Sequence, residues 1–304
     1  MRVTVILGLL GKKHYTSLML SLQKTAKTLW PLLFFLCGVA SAEAPSRLLA
    51  TGGASQVEGQ AGGGIVPWAV LAGYGSTDEF SATAFYTRIS LKDFDLDAYG
   101  VAASFGNRWE LSLARHRFDL NGLSPVQSTL KQNVAGLKYR VSGDLIYHRA
   151  PQIAVGLQYK DHQNFALPDA LGADRDNDVE AYVSASKLWL AGFAGRNVFA
   201  NGSVRYGRSN QLGLLGFGGD LGSRRELLLE GSAGVFVNRH LALGLEYRQQ
   251  PDNLSTARQD NWFTAFIGYF PNKRLSVVAA YADLGAIATL ENQTGAYLSV
   301  EYSH

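Results

Sequence analysis

The chain reads as all-β: an antiparallel transmembrane β-barrel of the bacterial outer membrane, with about 12–14 strands. Three observations lead there. Charged residues make up only 17% of the 304 residues while 47% are hydrophobic, where about a quarter charged is usual for a soluble domain. Apolar residues recur with period two through most of the chain, the spacing of strands with two unlike faces. Short turn signals also alternate with long polar connections, as the two ends of a membrane barrel require.

The N-terminus comes first. Residues 1–42 carry Arg2, Lys12, Lys13, Lys24 and Lys27 and no acidic residue, then an apolar run from Leu29 to Val39 and Ala40-Ser41-Ala42. A basic start, a short apolar core and an A-x-A end make a secretory signal peptide cleaved between Ala42 and Glu43. The run is too short to span a bilayer, which takes about 20 apolar residues. Met19 would start a leader of ordinary length, leaving 1–18 surplus. Without the leader the net charge passes from +3 to about −2, and the only Cys and both Met are lost. Thiol chemistry and Cys-based metal sites are thereby excluded from the mature chain, and the basic pI gives no ground for a nucleic-acid partner.

Residues 43–65 are Gly-rich. Leu48–Val57 reads as a weak first strand, or Gly59–Gly64 lets the N-terminus tuck into the lumen. Residues 66–304 read as the barrel, with thirteen candidate strands between Val66 and Tyr302. A closed bacterial barrel needs an even number, so the count becomes fourteen with Leu48–Val57 included, or twelve with one strand removed. Parity leans slightly to fourteen.

The alternation itself is plain. Ile153, Val155, Leu157 and Tyr159 form one face of a strand, and Leu241, Leu243, Leu245 and Tyr247 one face of another. Val198–Tyr206 and Leu229–Val237 behave alike. The opposite faces carry Gly, Ala, Ser and charge, as a crowded lumen would, whereas a soluble sandwich would place its apolar face inward. Trp109, Tyr139, Tyr159, Tyr206 and Tyr247 lie at the ends of apolar faces, as interfacial girdles do. Every mature-chain Pro falls between runs or at a strand start, where a missing N–H is tolerated. The last strand, Gly295–Tyr302, turns Ala296, Leu298, Val300 and Tyr302 to lipid and Tyr297, Ser299 and Glu301 inward. It resembles the C-terminal strand recognised by the barrel-assembly machinery, although that strand commonly ends in Phe and this chain ends in His304. Counting back from it puts 161–178, 208–225, 249–260 and 285–294 outside the cell and 191–196, Val237–Arg239 and Pro271–Arg274 in the periplasm.

Leu48–Gly59, Ala61–Ala69 and Ala72–Gly75, with Arg115-His-Arg-Phe-Asp119 and Val155–Lys160, resemble one family. It is the domain of unknown function 3034 family of proteobacterial outer-membrane proteins. The resemblance covers most of the mature chain; it implies an exported Gram-negative barrel and carries no activity or catalytic residue.

Candidate chemistry is sparse. Asp174–Asp178 lacks the Gly and Glu of an EF-hand, with Val179 and Ala185 in their places. His116 and His240 sit on expected lumen faces, where a Ser and an Asp from other strands could complete a triad. No paired-His zinc spacing, nucleophile elbow or phosphate loop occurs, and no metal or cofactor is expected. The informative set is charged and inward: Glu110, Lys138, Arg140, Lys160, Glu180, Arg205, Glu230, Glu246, Arg248 and Glu301. Opposed acidic and basic walls would set a field across a channel, and interleaved charges would instead tie the barrel together. The expected function is a passive pore for small hydrophilic solutes, or a largely filled barrel. An outer-membrane enzyme acting on lipid or peptide, and a structural barrel presenting surface loops, are the alternatives. The expected partners are outer-membrane lipid, lipopolysaccharide and, during biogenesis, the barrel-assembly machinery.

Overall fold

A computed structural model describes residues 49–77, 79–124 and 127–304. The leader and its cleavage site at Ala42 and Glu43 lie outside the described residues. Twelve antiparallel strands close into a barrel. They follow a two-stranded hairpin, β1 (Ala54–Ser55) and β2 (Ala61–Gly62). The barrel strands are β3 (Phe80–Leu91), β4 (Asp95–Phe105), β5 (Trp109–Asp119), β6 (Thr129–Ser142), β7 (Gln152–His162) and β8 (Asn177–Phe193). They continue through β9 (Arg196–Gly207), β10 (Glu226–Asn238), β11 (Leu241–Arg248), β12 (Trp262–Tyr269), β13 (Leu275–Asp283) and β14 (Thr294–Ser303). Each pairs with its neighbour in sequence, and β14 closes on β3, with Tyr297 opposite Ile89. His304 extends that seam, its N–H donating to the Ala82 carbonyl at 2.8 Å. Closure leaves no free strand edge in the wall, as a lipid environment demands.

The period-two faces fall as the alternation predicts. Leu113, Leu157, Leu229 and Leu245 are exposed on the outer wall, while Tyr297, Ser299 and Glu301 are buried inside. The Trp109 and Tyr139 rings meet near the short-turn end, tilted 48° with centroids 4.4 Å apart. The connections 120–124 with 127–128, 163–176, 208–225, 249–261 and 284–293 share one end of the barrel, and the turns 106–108, 194–195, 239–240 and 270–274, with the longer 143–151, the other. The long-connection end is covered by its own loops. A 3-10 turn at Asn210–Gly213 and the chain after it bury Leu212, Leu215 and Phe217, and Leu212 and Leu215 share one apolar cluster with Leu254 and Ile287.

One expectation changes: the barrel opens at Phe80 rather than Val66. Of the two counts that parity allows, twelve is the one observed. Residues 49–77 add no strand to the wall. They enter the lumen as a hairpin excursion, and their backbone is satisfied partly by their own turns and the β1–β2 pairing and partly by side chains of the wall. Alternation around Val66 was therefore no strand signal: Ile65, Val66, Ala69 and Leu71 are all buried whatever their parity.

Candidate functional site: a lumen filled by the N-terminal segment

The filling segment starts near Ala50, packed on Ala242 and Phe270 at the short-turn end. It rises through β1, turns over Gln56–Gln60 and returns through β2. The apex is tight. Gln56 N–H donates to the Gln60 carbonyl at 3.0 Å and Gly59 N–H to the Gln56 carbonyl at 2.8 Å. Gly59 has φ of +96°, and a Cβ there would lie 2.9 Å from that of Ala114, so both backbone and space call for glycine. Glu58 sits at this apex, level with the long-connection ends of β7, β9 and β11.

Three cations converge on the Glu58 carboxylate. Lys160 Nζ is 2.5 Å away, Arg248 Nη1 2.7 Å and Arg205 Nη2 3.3 Å. Two wall carboxylates complete the cluster: Glu180, 2.6 Å from Lys160, and Glu230, 2.6 Å from Arg205 Nε. Glu230 and Arg248 are direct register partners across β10 and β11. Three positive and three negative groups thus balance in a space with almost no exposure. Arg205 also lies over the Tyr182 ring, 5.4 Å from its centroid, and donates to Gln158 Oε1 at 2.6 Å. Glu58 lies on the filling segment rather than on a spanning strand. Burial alone would raise its pKa, but Arg248, Lys160 and Arg205 hold it well below the ordinary carboxylate range.

Below the apex the wall grips backbone. Glu110 accepts from Ala61 N–H at 3.1 Å and Ala72 N–H at 2.7 Å. Its register partner Lys138, 3.3 Å away, donates to the Ala61 and Val70 carbonyls. Glu246 accepts from Gly64 and Ile65 N–H at 2.8 and 3.0 Å, and Glu301 from Ser55 Oγ at 2.5 Å. The Pro67 carbonyl accepts from Ser184, Ser203 and Asn201. A Cβ on Gly63 would fall 1.8 Å from Glu246, so the glycines here admit the wall to the backbone. Val57, Ile65 and Val66 face the less polar arc and share a cluster with Phe85, Ile89 and Phe266.

Of the ten charged residues expected inward, nine are buried inside the barrel. Arg140 is half-buried at the short-turn rim, 4.0 Å from Asp144. Acidic and basic residues interleave on neighbouring strands, so the transverse field of two opposed walls does not arise. Glu58 is the residue that sequence reasoning missed. The available signal was its isolation, for it is the sole charge between Leu48 and Thr77.

Neither histidine meets a Ser and an Asp. His116 is buried between Gln132 Oε1 and the Val57 carbonyl, and His240 lies at the short-turn end against the Phe270 carbonyl. In the acidic loop, Asp178 pairs with Arg208 and Arg225, and Asp174 accepts from Ser223. Among the described residues no group of His, Cys, Asp or Glu is arranged to hold a metal.

A closed antiparallel barrel with an apolar outer belt and a polar, charged interior is a β-barrel of the bacterial outer-membrane class. The chain belongs to the family described as protein of unknown function (DUF3034), which it matches over residues 51–301. No curated protein matches it by sequence. Among solved structures it is similar to the KdgM porin at 12% identity and a TM-score of 0.46, covering 73% of this chain and 99% of that one. It is similar to the outer membrane protein Omp33 of Acinetobacter baumannii at 8% identity and 0.44, covering 75% and 100%. An outer membrane channel from Pseudomonas putida F1 aligns at 14% identity and 0.42, covering 76% and 97%. At these scores the likenesses carry no functional argument; the assignment rests on the family match and on the barrel itself.

Proposed function

We propose that this protein is an outer-membrane pore for small hydrophilic solutes that rests closed, with its own N-terminal hairpin as the stopper. One observation carries the reading: the hairpin is seated on the wall through exchangeable polar contacts and shares no strand ladder with it. The segment enters and leaves by the short-turn end, so it can withdraw without breaking a barrel strand pair. The wall it uncovers, with Gln152, Ser184, Asn201 and the charged set, is one that water or a polar solute can occupy.

The same reading places the mature start at Glu43 after cleavage behind Ala42. It places the barrel in outer-membrane lipid with lipopolysaccharide outside, inserted by the barrel-assembly machinery through β14. The test is conductance in a planar bilayer. The full chain should show rare, brief openings, and a chain lacking both residues 49–77 and the loop cap 210–217, whose Leu212, Leu215 and Phe217 are buried at the other end, should conduct steadily. If the shortened chain, shown to be folded by its unboiled gel mobility, stays silent, the pore reading fails.

A further inference from the structure

We infer that the three cations around Glu58 form a solute site for a single carboxylate, which the hairpin occupies with its own side chain in the closed state. This rests on the pore reading and adds the class of solute. Withdrawal of the hairpin removes Glu58 and leaves Lys160, Arg205 and Arg248 facing Glu180 and Glu230. That set carries one net positive charge, the complement of one carboxylate. A dianion would meet the two wall carboxylates at close range, and a neutral solute would leave a buried cation unpaired. The donors are already aimed: the guanidinium groups of Arg205 and Arg248 and the Lys160 ammonium reach one carboxylate within 3.3 Å. Arginine forks favour carboxylate recognition.

Gln158 supplies the second feature. It is fully buried, its Oε1 is fixed by Arg205, and its Nε2 has no hydrogen-bond partner. That donor stands ready for a hydroxyl next to the carboxylate. The Tyr182 hydroxyl, which donates to Gln60 Oε1 at 2.7 Å, is released by the same withdrawal. The site therefore selects a hydroxylated monocarboxylate, and ligand and hairpin compete for it.

Gluconate and sorbitol, which share a hydroxylated six-carbon skeleton, and inorganic sulfate as dianion make the probes. Their binding is measured by calorimetry on the purified barrel lacking residues 49–77, and on full-length Glu58→Gln in case the shortened chain does not fold. Gluconate should bind at least about tenfold more tightly than sorbitol or sulfate. Arg248→Gln in either background should remove that preference, and gluconate should not bind the full wild-type chain. Equal binding of gluconate and sorbitol, or tighter binding of sulfate, overturns the site. Bilayer recordings on the same samples, with 210–217 also removed, separate the two readings: conductance without gluconate preference sinks the site alone, and gluconate preference without conductance sinks the pore alone.

Discussion

Glu58→Gln tests the stopper without touching a barrel strand. In the seated state the substitution leaves a cluster of three cations and two carboxylates where six groups had balanced. All of its members are buried, so the unpaired charge reaches little water. Breaking a buried ion pair costs about 3–5 kcal/mol. The lower end applies, since Gln keeps one acceptor oxygen and Glu180 and Glu230 stay in place. With the hairpin withdrawn, the wall cations are hydrated whichever residue stands at 58, so the whole cost falls on the seated state. About 3 kcal/mol corresponds to roughly a hundredfold larger open population. Hydrogen exchange reads it directly. The Ala61, Gly64, Ile65, Ala69 and Ala72 amides all donate to wall side chains. In the variant they should exchange roughly a hundredfold faster, while β3 to β14 keep their protection. Unchanged exchange in the hairpin would show that Glu58 does not hold it. Equal acceleration in β10 and β11 would show that hairpin and barrel unfold as one unit.

Three other outcomes follow from the same geometry. Leu243→Arg puts a charge on the outer wall and should lower stability in lipid vesicles by about 2–4 kcal/mol if it lies near the midplane; a neutral result in denaturant titration would reverse the face assignment. Asn177→Cys should react with a membrane-impermeant maleimide on intact cells, and Asn272→Cys only after lysis; the opposite pattern refutes the topology. Because the Glu58 carboxylate is held below its ordinary value of 4.5, its grip is complete above that pH. The grip fades as pH falls below 4.5 and through the lowered value. Hairpin amides should thus lose protection in acid, and a Glu58→Gln background should flatten that response.

The sequence determined the wall by itself. Strand identity, the lipid and lumen faces and the side on which the long connections lie all follow from period two and turn chemistry, which are local. Leu243 and Glu246 differ in face because Cβ atoms alternate along a strand, whatever surrounds it. Nine of the ten charges expected inward were legible for the same reason, and Arg140 was not, because it lies at the short-turn rim. The strand count at the N-terminal end and the contents of the lumen were decided only by the tertiary structure. Residues 49–77 have little ladder of their own. Seven of their N–H and C=O groups are satisfied by Glu110, Lys138, Glu246, Ser184 and Asn201, side chains brought together only when β14 closes on β3. No local period can encode a backbone whose partners lie 38 to 182 residues away. Glu58 is the sharpest case: its isolation marks it in the sequence, but nothing near it in the chain names its partners. It becomes the centre of the lumen because closure sets Lys160, Arg205 and Arg248, from three separate strands, around the point that the hairpin apex reaches.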